Sequence, residues 1–501
     1  MEFVQMKIRE WGIIGVIILL VGILSYGLGV HKVGLSVDEV WNYGLANNIG
    51  SITPNIVRGQ EYTGFGPFED FLQVKKGEGV NYINVWQNQA NDVHPPLYYI
   101  VFHTVCSFFQ NSFSKWYGIA VNVIWMIFII YFLYKLTKDI SGSIFTAGSV
   151  ITIYGTSVVF LNTLMFIRMY TQFTFFALIL AYLVQLYWSK QQDRIFYISL
   201  SLILILGLLT HYYFMIYAFF LCAFYAIELI RGNRFKELRI SLITVVGSAV
   251  VYLLLWYHIA GHLFRGYRGK EAFSKAFSMK SLFSGGIGLL YILNDQAFCG
   301  TMILFVVIGF VLVCISIYKK ERLIGYKTSL LLSCILYVFL VGKIAPFISV
   351  RYIMCTSFAF IMIAFIDLEK TINILMKNKR IVSGIAALII FMTINVANLM
   401  GRRFYVPDDN YDEEYQEIIS TLNDRDAVVY IADDWNAFYF YNALINTKSY
   451  TFVDEQSFKD ATKERKEYVL MIYSSTPENL INELNCDLIY QKGAISYFLV
   501  N

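Results

Sequence analysis

Charge is scarce in this sequence. Asp, Glu, Lys and Arg make up 15% of its 501 residues against 57% hydrophobic, and the mean hydropathy is +0.55. A water-soluble domain of this length carries far more polar surface, so water is excluded as the main solvent. A strong excess of one sign is lacking too. The formal net charge is +4, and the basic residues are spread through short connectors between apolar runs, where they read as topology signals. No nucleic-acid partner is expected. The seven cysteines, at 106, 222, 299, 314, 334, 355 and 486, fall mostly inside apolar segments with no C-x-x-C spacing, which argues against a disulfide framework or a thiolate metal cage. Internal repeats and low-complexity segments are lacking, and with them the related halves of a transporter or lipid flippase, the alternative class that ionisable groups among helices would otherwise suggest.

Apolar runs and aromatics are abundant. The 37 Tyr and 41 Phe cluster near the ends of apolar runs, where amphipathic rings suit the headgroup zone. About 20 apolar residues cross the hydrocarbon core as a helix. Runs near that length occur at 11–30, 95–110, 117–134, 143–161, 169–188, 195–209, 210–230, 239–260, 299–318, 327–342, 351–368 and 381–399. The first is too long for a signal peptide, lacks a cleavage pattern before His31 and Lys32, and is read as a membrane helix. Lys7 and Arg9 place the N-terminus on the cytoplasmic side. The connectors with Arg231, Arg234, Lys236 and Arg239, with Lys319, Lys320, Arg322 and Lys327, and with Lys370, Lys377, Lys379 and Arg380 belong to that side as well. Parity then requires one run not to span. The run 95–110, short and opened by His94, Pro95 and Pro96, is read as juxtamembrane or re-entrant, leaving about 11 transmembrane helices.

This reading makes the chain an α-helical polytopic membrane protein: a membrane domain over 1–400, with large outer loops 31–94 and 261–298, and a small extracytoplasmic α/β domain over 402–501. In the tail, Ala427 to Ala432, Tyr468 to Tyr473 and Ile495 to Val500 read as strands, and Tyr415 to Leu422 and Pro477 to Leu484 as helices. A cell (plasma) membrane location follows from the same layout.

Chemistry is expected on the outer face. The first loop opens with Ser36-Val37-Asp38-Glu39-Val40-Trp41, with Val37, Val40, Trp41 and Leu45 on one face of a short surface helix. Ser36 and Glu39 fit a capping box, which gives Glu39 a structural duty. Asp38 has none, and a helix N-terminus favours its ionised, basic form. The loop closes with Asp92-Val93-His94-Pro95-Pro96, where the prolines forbid a continuing helix and fix how Asp92 and His94 are presented. Between two later runs lies Phe166-Ile167-Arg168-Met169-Tyr170. An Arg at a helix centre costs roughly 2.5–3.5 kcal/mol on insertion scales, so Arg168 either snorkels or has a partner. Thr210-His211-Tyr212 occupies the next outer turn, and Arg351-Tyr352, with Lys343 nearby, another. Basic groups on an outer loop call for an anion, and phosphate is a natural one. In the loop 261–298, Arg265, Arg268, Lys270, Lys275 and Lys280 alternate with Phe264, Tyr267, Phe273 and Phe277, a pattern that suits an interfacial helix on anionic lipid.

The ordered set Asp38-Glu39, His94-Pro95-Pro96-Leu97-Tyr98, Arg168-x-Tyr170, Thr210-His211-Tyr212 and Arg351-Tyr352, over roughly residues 1 to 400, resembles the GT-C membrane glycosyltransferases, in the branch of protein O-mannosyltransferases, aminoarabinose transferases and rhizobial lipopolysaccharide core sugar transferases. The resemblance implies an inverting transferase that takes sugar from a polyprenyl-phosphate donor at the extracytoplasmic face. It implies Asp38 as general base, with Glu39, Asp92, His94, Arg168, Tyr170, His211, Tyr212, Arg351 and Tyr352 toward donor or acceptor. Many relatives carry Glu two residues before the Arg of R-x-Y, where this sequence has Phe166. Asp92 is the substitute at hand. The sugar, the choice of glycan, lipid or protein acceptor, and the need for a divalent metal at Asp92 and His94 stay open.

Overall fold

A backbone in hydrocarbon has no water to bond, so its amides are satisfied within each segment. The computed structural model is accordingly dominated by helices, and it describes residues 2–277, 283–401, 413–463, 465–473 and 484–501. Seven described helices are long and apolar enough to cross a bilayer: Lys7–His31, Lys115–Ser141, Tyr170–Tyr187, Phe214–Arg231, Phe235–Leu255, Tyr326–Ile344 and Arg380–Met400. Nine spans result if two bent pairs count as one each: Ile144–Gly155 with Val158–Met165, bent by 56°, and Ser284–Phe298 with Met302–Tyr318, bent by 99°.

Run length predicts 11 spans, and the shortfall has two sources. The run 195–209 forms Arg194–Thr210, an apolar helix of 17 residues. The run 351–368 extends into Met354–Leu375, which is long enough but takes up Asp367, Glu369 and Lys370. The segment opened by Pro95 and Pro96 forms Leu97–Ser107, at 11 residues too short to span.

Each break is stabilised locally. At Thr156 and Ser157 the carbonyl freed on Ile153 accepts from Asn395 Nδ2 at 2.8 Å, and the same amide donates to Thr156 Oγ1 at 2.9 Å. At the sharper break Cys299 and Gly300 adopt left-handed φ values of 47° and 83°, and the Asn294 side chain accepts from Met302 N–H at 2.8 Å. The stretch 261–298 is mostly helical, as Ile259–Phe264, Tyr267–Phe277 and Ser284–Phe298. Lys280 lies outside the described residues.

The chain packs as two compact units, one of residues 1–29, 93–98 and 119–405, the other of 30–92, 99–118 and 406–501. The second unit therefore unites the first large loop with the C-terminal segment. Its sheet has six strands: β1 (Glu61–Tyr62), β2 (Asp426–Tyr430), β3 (Ser449–Val453), β4 (Tyr468–Tyr473), β5 (Cys486–Lys492) and β6 (Ile495–Val500), in the order β1-β3-β2-β4-β6-β5. β3, β2 and β4 run parallel, while β1 and β6 join antiparallel, with β5 beyond β6. Val428, Val453, Leu470 and Ile472 build its core, with Phe458 against them. The helix predicted from 415 is Glu413–Leu422. The one predicted at 477–484 lies almost wholly outside the described residues.

In the helical unit, Ser284–Phe298 and Tyr326–Ile344 cross with their backbones in contact at Gly285 and Gly342. A Cβ on Gly285 would stand 2.0 Å from the Gly342 carbonyl oxygen. Small residues allow such crossings between apolar helices. Gly285→Ala is expected to force the helices apart at a cost of about 1–3 kcal/mol, the usual penalty of overpacking. Thermal unfolding in detergent measures it, and an unchanged midpoint would mean that the helices do not cross this closely.

Candidate active site

The predicted residues fall into two sets. Asp38, Glu39 and Asp92 belong to the unit that holds the sheet, and His94, Arg168, Tyr170, His211, Tyr212, Arg351 and Tyr352 to the helical unit.

In the first set, Ser36 caps the helix Val37–Asn47, and its backbone N–H donates to Glu39 at 2.8 Å, closing the capping box that the S-x-x-E spacing predicts. Glu39 does more than cap. Its carboxylate meets Lys32 Nζ at 3.0 Å with the two side chains 0% and 1% exposed, a buried ion pair that ties the chain entering the helix to its first turn. Asp38 is half-buried beside it. The helix is more enclosed than a surface helix: Val40, Tyr43, Leu45 and Ala46 are buried, and Gly44 sits against the Phe71 ring. Its polar residues can be buried because they are bonded. Asn47 donates to the Leu72 carbonyl at 2.8 Å and faces His103 Nδ1 at 3.3 Å. Burial holds the His103 ring below the usual imidazole range.

The helix Tyr82–Asn91 pairs with this one through Asn84 Nδ2 to the Asn48 carbonyl (2.6 Å) and Asn88 Nδ2 to the carbonyls of Asn48 and Leu45 (2.7 and 3.2 Å). As Asn48 meets Asn84 and Leu45 meets Asn88, the helices run antiparallel. This direction carries Asp38 and Asn42 toward the end that holds Gln89 and Asp92. Asp92 caps that end and is 6% exposed. Asn42 and Gln89 are fully buried, and their carboxamides bond with none of the described residues. Buried amides are normally satisfied, so both helices present polar faces suited to water or to a hydroxylated ligand. Asn42 and Gln89 escaped the sequence reading, although each lies one turn from a carboxylate that it singles out.

In the helical unit the turn 166–169 is pinned by Asn122, whose Nδ2 donates to the carbonyls of Leu164 and Phe166 at 2.9 and 2.8 Å. Arg168 on this turn is 2% exposed. It does not snorkel. Its Nη2 lies 3.4 Å from His94 Nε2, and since a guanidinium only donates, that nitrogen is the acceptor. His94 and His211 stand with ring centres 6.5 Å apart, and Tyr170 and Phe173 flank His211 at 5.6 and 5.0 Å. Burial, with the neighbouring His94, Arg168 and Arg351, holds His211 well below the usual imidazole range. His211 is therefore neutral near pH 7. Its Nδ1 accepts from Tyr213 N–H at 3.0 Å, which leaves the proton on Nε2.

Arg351 is held by rings, with its guanidinium 4.8 Å from the Phe347 centroid, 5.9 Å from Tyr352 and 6.0 Å from Phe166. Phe166, which departs from the family pattern, thus forms one of the aromatic faces around a cation and also stacks on Tyr170 at 5.6 Å. The Tyr212 hydroxyl bonds with another group, 2.6 Å from His262 Nδ1 while accepting from Trp256 Nε1 at 2.9 Å. Among the described residues no three His, Cys, Asp or Glu side chains come together to hold a metal ion.

No family model matches this chain, and no curated protein does. Among solved structures it is similar to ArnT from Cupriavidus metallidurans in the apo state, at TM-score 0.50 and 10% identity over 95% of this chain and 97% of that one. The same protein bound to undecaprenyl phosphate gives 0.48 and 10% over the same shares. The archaeal oligosaccharyltransferase AglB from Archaeoglobus fulgidus, in complex with an inhibitory peptide and a dolichol-phosphate, gives 0.47 and 11% over 93% and 69%. At such identity the likeness speaks of the fold alone: the chain shares the overall architecture of ArnT.

Two outcomes follow from this geometry. Glu39→Gln leaves Lys32 buried against a neutral amide and is expected to cost about 3–5 kcal/mol, with much of it recovered in Lys32→Met/Glu39→Gln. Equal melting temperatures for the single and double variants would refute the pairing. His211 sets the second. An unfolded histidine titrates near 6.5, and the folded value lies below it, so protons favour the unfolded chain. This contribution to stability is complete above about pH 6.5 and is lost as pH falls toward the folded value. Melting temperatures measured down the acid side should fall less steeply for His211→Gln than for the parent, and parallel curves would count against a neutral His211.

Proposed function

We propose that the chain is an inverting glycosyltransferase that moves a sugar from a polyprenyl-phosphate donor to an acceptor hydroxyl at the extracytoplasmic face of the cell membrane, with its N-terminus in the cytoplasm. The observation that carries this reading is the set of Arg168, Arg351, His94 and His211 within a bundle of membrane-length helices. Cationic groups are costly there, and a lipid phosphate, anionic and tethered at the membrane surface, offsets that cost through charge-assisted hydrogen bonds.

The chemistry divides between the two residue sets. Asp38 takes the proton of the acceptor hydroxyl as its oxygen attacks C1 of the sugar from the face opposite the phosphate. The bond from C1 to the phosphate oxygen breaks, the phosphate leaves with the electron pair, and the anomeric centre inverts through an oxocarbenium-like transition state. Arg168 and Arg351 meet the charge that builds on the phosphate. His211, neutral, offers its Nε2 proton as a hydrogen bond. Asp92 and Asn42 support the acceptor side, and Tyr170 and Tyr352 shape the ring-lined surroundings of the two guanidiniums.

Proteoliposomes given a radiolabelled polyprenyl-phosphate sugar and extracted acceptor test the proposal. Asp38→Asn is expected to lower transfer by about 10²–10⁴-fold, the usual scale of general-base catalysis. Arg351→Lys, which loses the planar guanidinium that lies against the rings, is expected to raise the donor concentration needed for half-maximal rate. Full transfer by the Asp38 variant would defeat the assignment of the base, and movement of intact labelled lipid without cleavage would replace transfer by transport.

A further inference from the structure

The unit that holds the sheet carries a row of aromatic rings that the transfer chemistry does not use. After β2 the segment Asp433-Asp434-Trp435-Asn436-Ala437-Phe438-Tyr439-Phe440 forms a 3-10 turn, capped where the Asp433 side chain accepts from Trp435 N–H at 2.9 Å. This turn sorts its rings by chemistry. Phe438 and Phe440 are buried, Phe438 against Phe68 and Phe71, whereas Trp435 and Tyr439 remain half-exposed. They continue a series. Trp41 lies 6.1 Å from Trp435, Trp435 5.1 Å from Tyr439, and Tyr439 stacks on Tyr473 at 4.6 Å and 22°. Trp41 and Tyr473 are half-exposed as well.

The row also stands where an open α/β sheet takes its ligands. The chain leaves β2 for β3 on one side and later returns to β4 on the other, and ligands gather outside the carboxyl ends of the strands at such a switch point. Tyr473 ends β4, and the turn with Trp435 and Tyr439 follows the end of β2. A polar fork borders the rings, because Arg58 pairs with Asp434 at 2.8 Å with both partly exposed, and Asp433 is exposed. Half-exposed Trp and Tyr rings beside a carboxylate and a guanidinium suit a sugar chain. The electron-rich faces take its C–H groups and the polar fork its hydroxyls. A bilayer interface also welcomes Trp and Tyr, but it gives no reason for acidic groups beside them. The row finally begins close to the proposed base: Trp41 lies three residues after Asp38, on the same helical face.

We infer that Trp41, Trp435, Tyr439 and Tyr473 form a platform that binds a glycan acceptor and feeds its terminal hydroxyl toward Asp38, so that the acceptor class is carbohydrate. This rests on the transferase reading above.

The test uses membranes from cells lacking the gene as the source of acceptor. Trp435→Ala and Tyr439→Ala are expected to raise the acceptor concentration for half-maximal transfer at least tenfold, while that for the donor stays within twofold. Trp435→Phe and Tyr439→Phe, which keep the rings, should behave like the parent and guard against misfolding. The labelled sugar should be recovered attached to another sugar. Acceptor half-saturation within twofold of the parent, equal shifts for donor and acceptor, or label attached directly to a peptide or a lipid headgroup would each overturn the proposal, equal shifts marking a bilayer contact. Quenching of tryptophan fluorescence by the glycan fraction released from those membranes separates the two readings. Saturable quenching in the parent and in Asp38→Asn alike, shifted tenfold in Tyr439→Ala, is expected. Binding without Asp38-dependent transfer would overturn the transferase reading alone, and transfer without binding the platform alone.

Discussion

A polar group taken out of water must be met by another polar group, and in a chain with this little charge each such meeting shapes the structure around it. Burying an unpaired charge costs several kcal/mol after relaxation, so a buried ion constrains every element that reaches it. Lys32 and Glu39 lock the entry into the helix that carries Asp38. Asn122 holds a carbonyl of the turn that carries Arg168 and one at the end of the helix before it. Asn395 donates to a carbonyl that the break near Ser157 frees from the helix ladder. The first two contacts sit next to residues given a chemical role, and all three fit the rule that irregular backbone and ionisable side chains are tolerated among apolar helices only where something holds them.

The two adjacent carboxylates show how such constraints separate residues that look alike. Asp38 and Glu39 share a helical turn, yet one is half-buried and the other wholly enclosed between Lys32 and the Ser36 backbone. The enclosed one keeps the helix start rigid, and a base that must meet an acceptor hydroxyl gains from a mount that does not move. The proposed division of labour within Asp38-Glu39 therefore follows from burial.

Much of the helical fold is legible in run length alone, since a bilayer sets the length of a span. The strands at Ala427, Tyr468 and Ile495 were legible from short apolar runs. β3 was not, for Ser449–Val453 opens on Ser and Tyr after a polar stretch and owes its complete burial to strands on both sides. β1 is two residues long and exists only by pairing with Thr451 and Tyr450, nearly 400 positions away. The break at Thr156 hides inside an apolar run for the same reason: what supports it is Asn395, far along the chain. Within the candidate site the sequence finds the charged residues, which are rare enough to stand out. It misses Asn42, Gln89 and Asn122, whose amides become informative only once their burial is known. Tyr212 was legible as polar and interfacial, but not as a partner of His262 and Trp256.

Phe166 stacks on Tyr170 and lies beside the Arg351 guanidinium. A Glu at that position would set a carboxylate beside the guanidiniums of the helical unit, holding them by charge and partly neutralising them. An aromatic ring holds a cation through its quadrupole, with an attraction of about 0.5–2 kcal/mol, and adds no opposing charge. Arg351 lies among Phe347, Tyr352 and Phe166, and Arg168, two residues along from Phe166, donates a hydrogen bond to His94 Nε2. A ring at position 166 thus contributes a cation-binding face where the resemblance leads one to expect a carboxylate. In the proposed transfer, cations held by rings would meet the charge on the departing phosphate, and proton removal is the role proposed for Asp38.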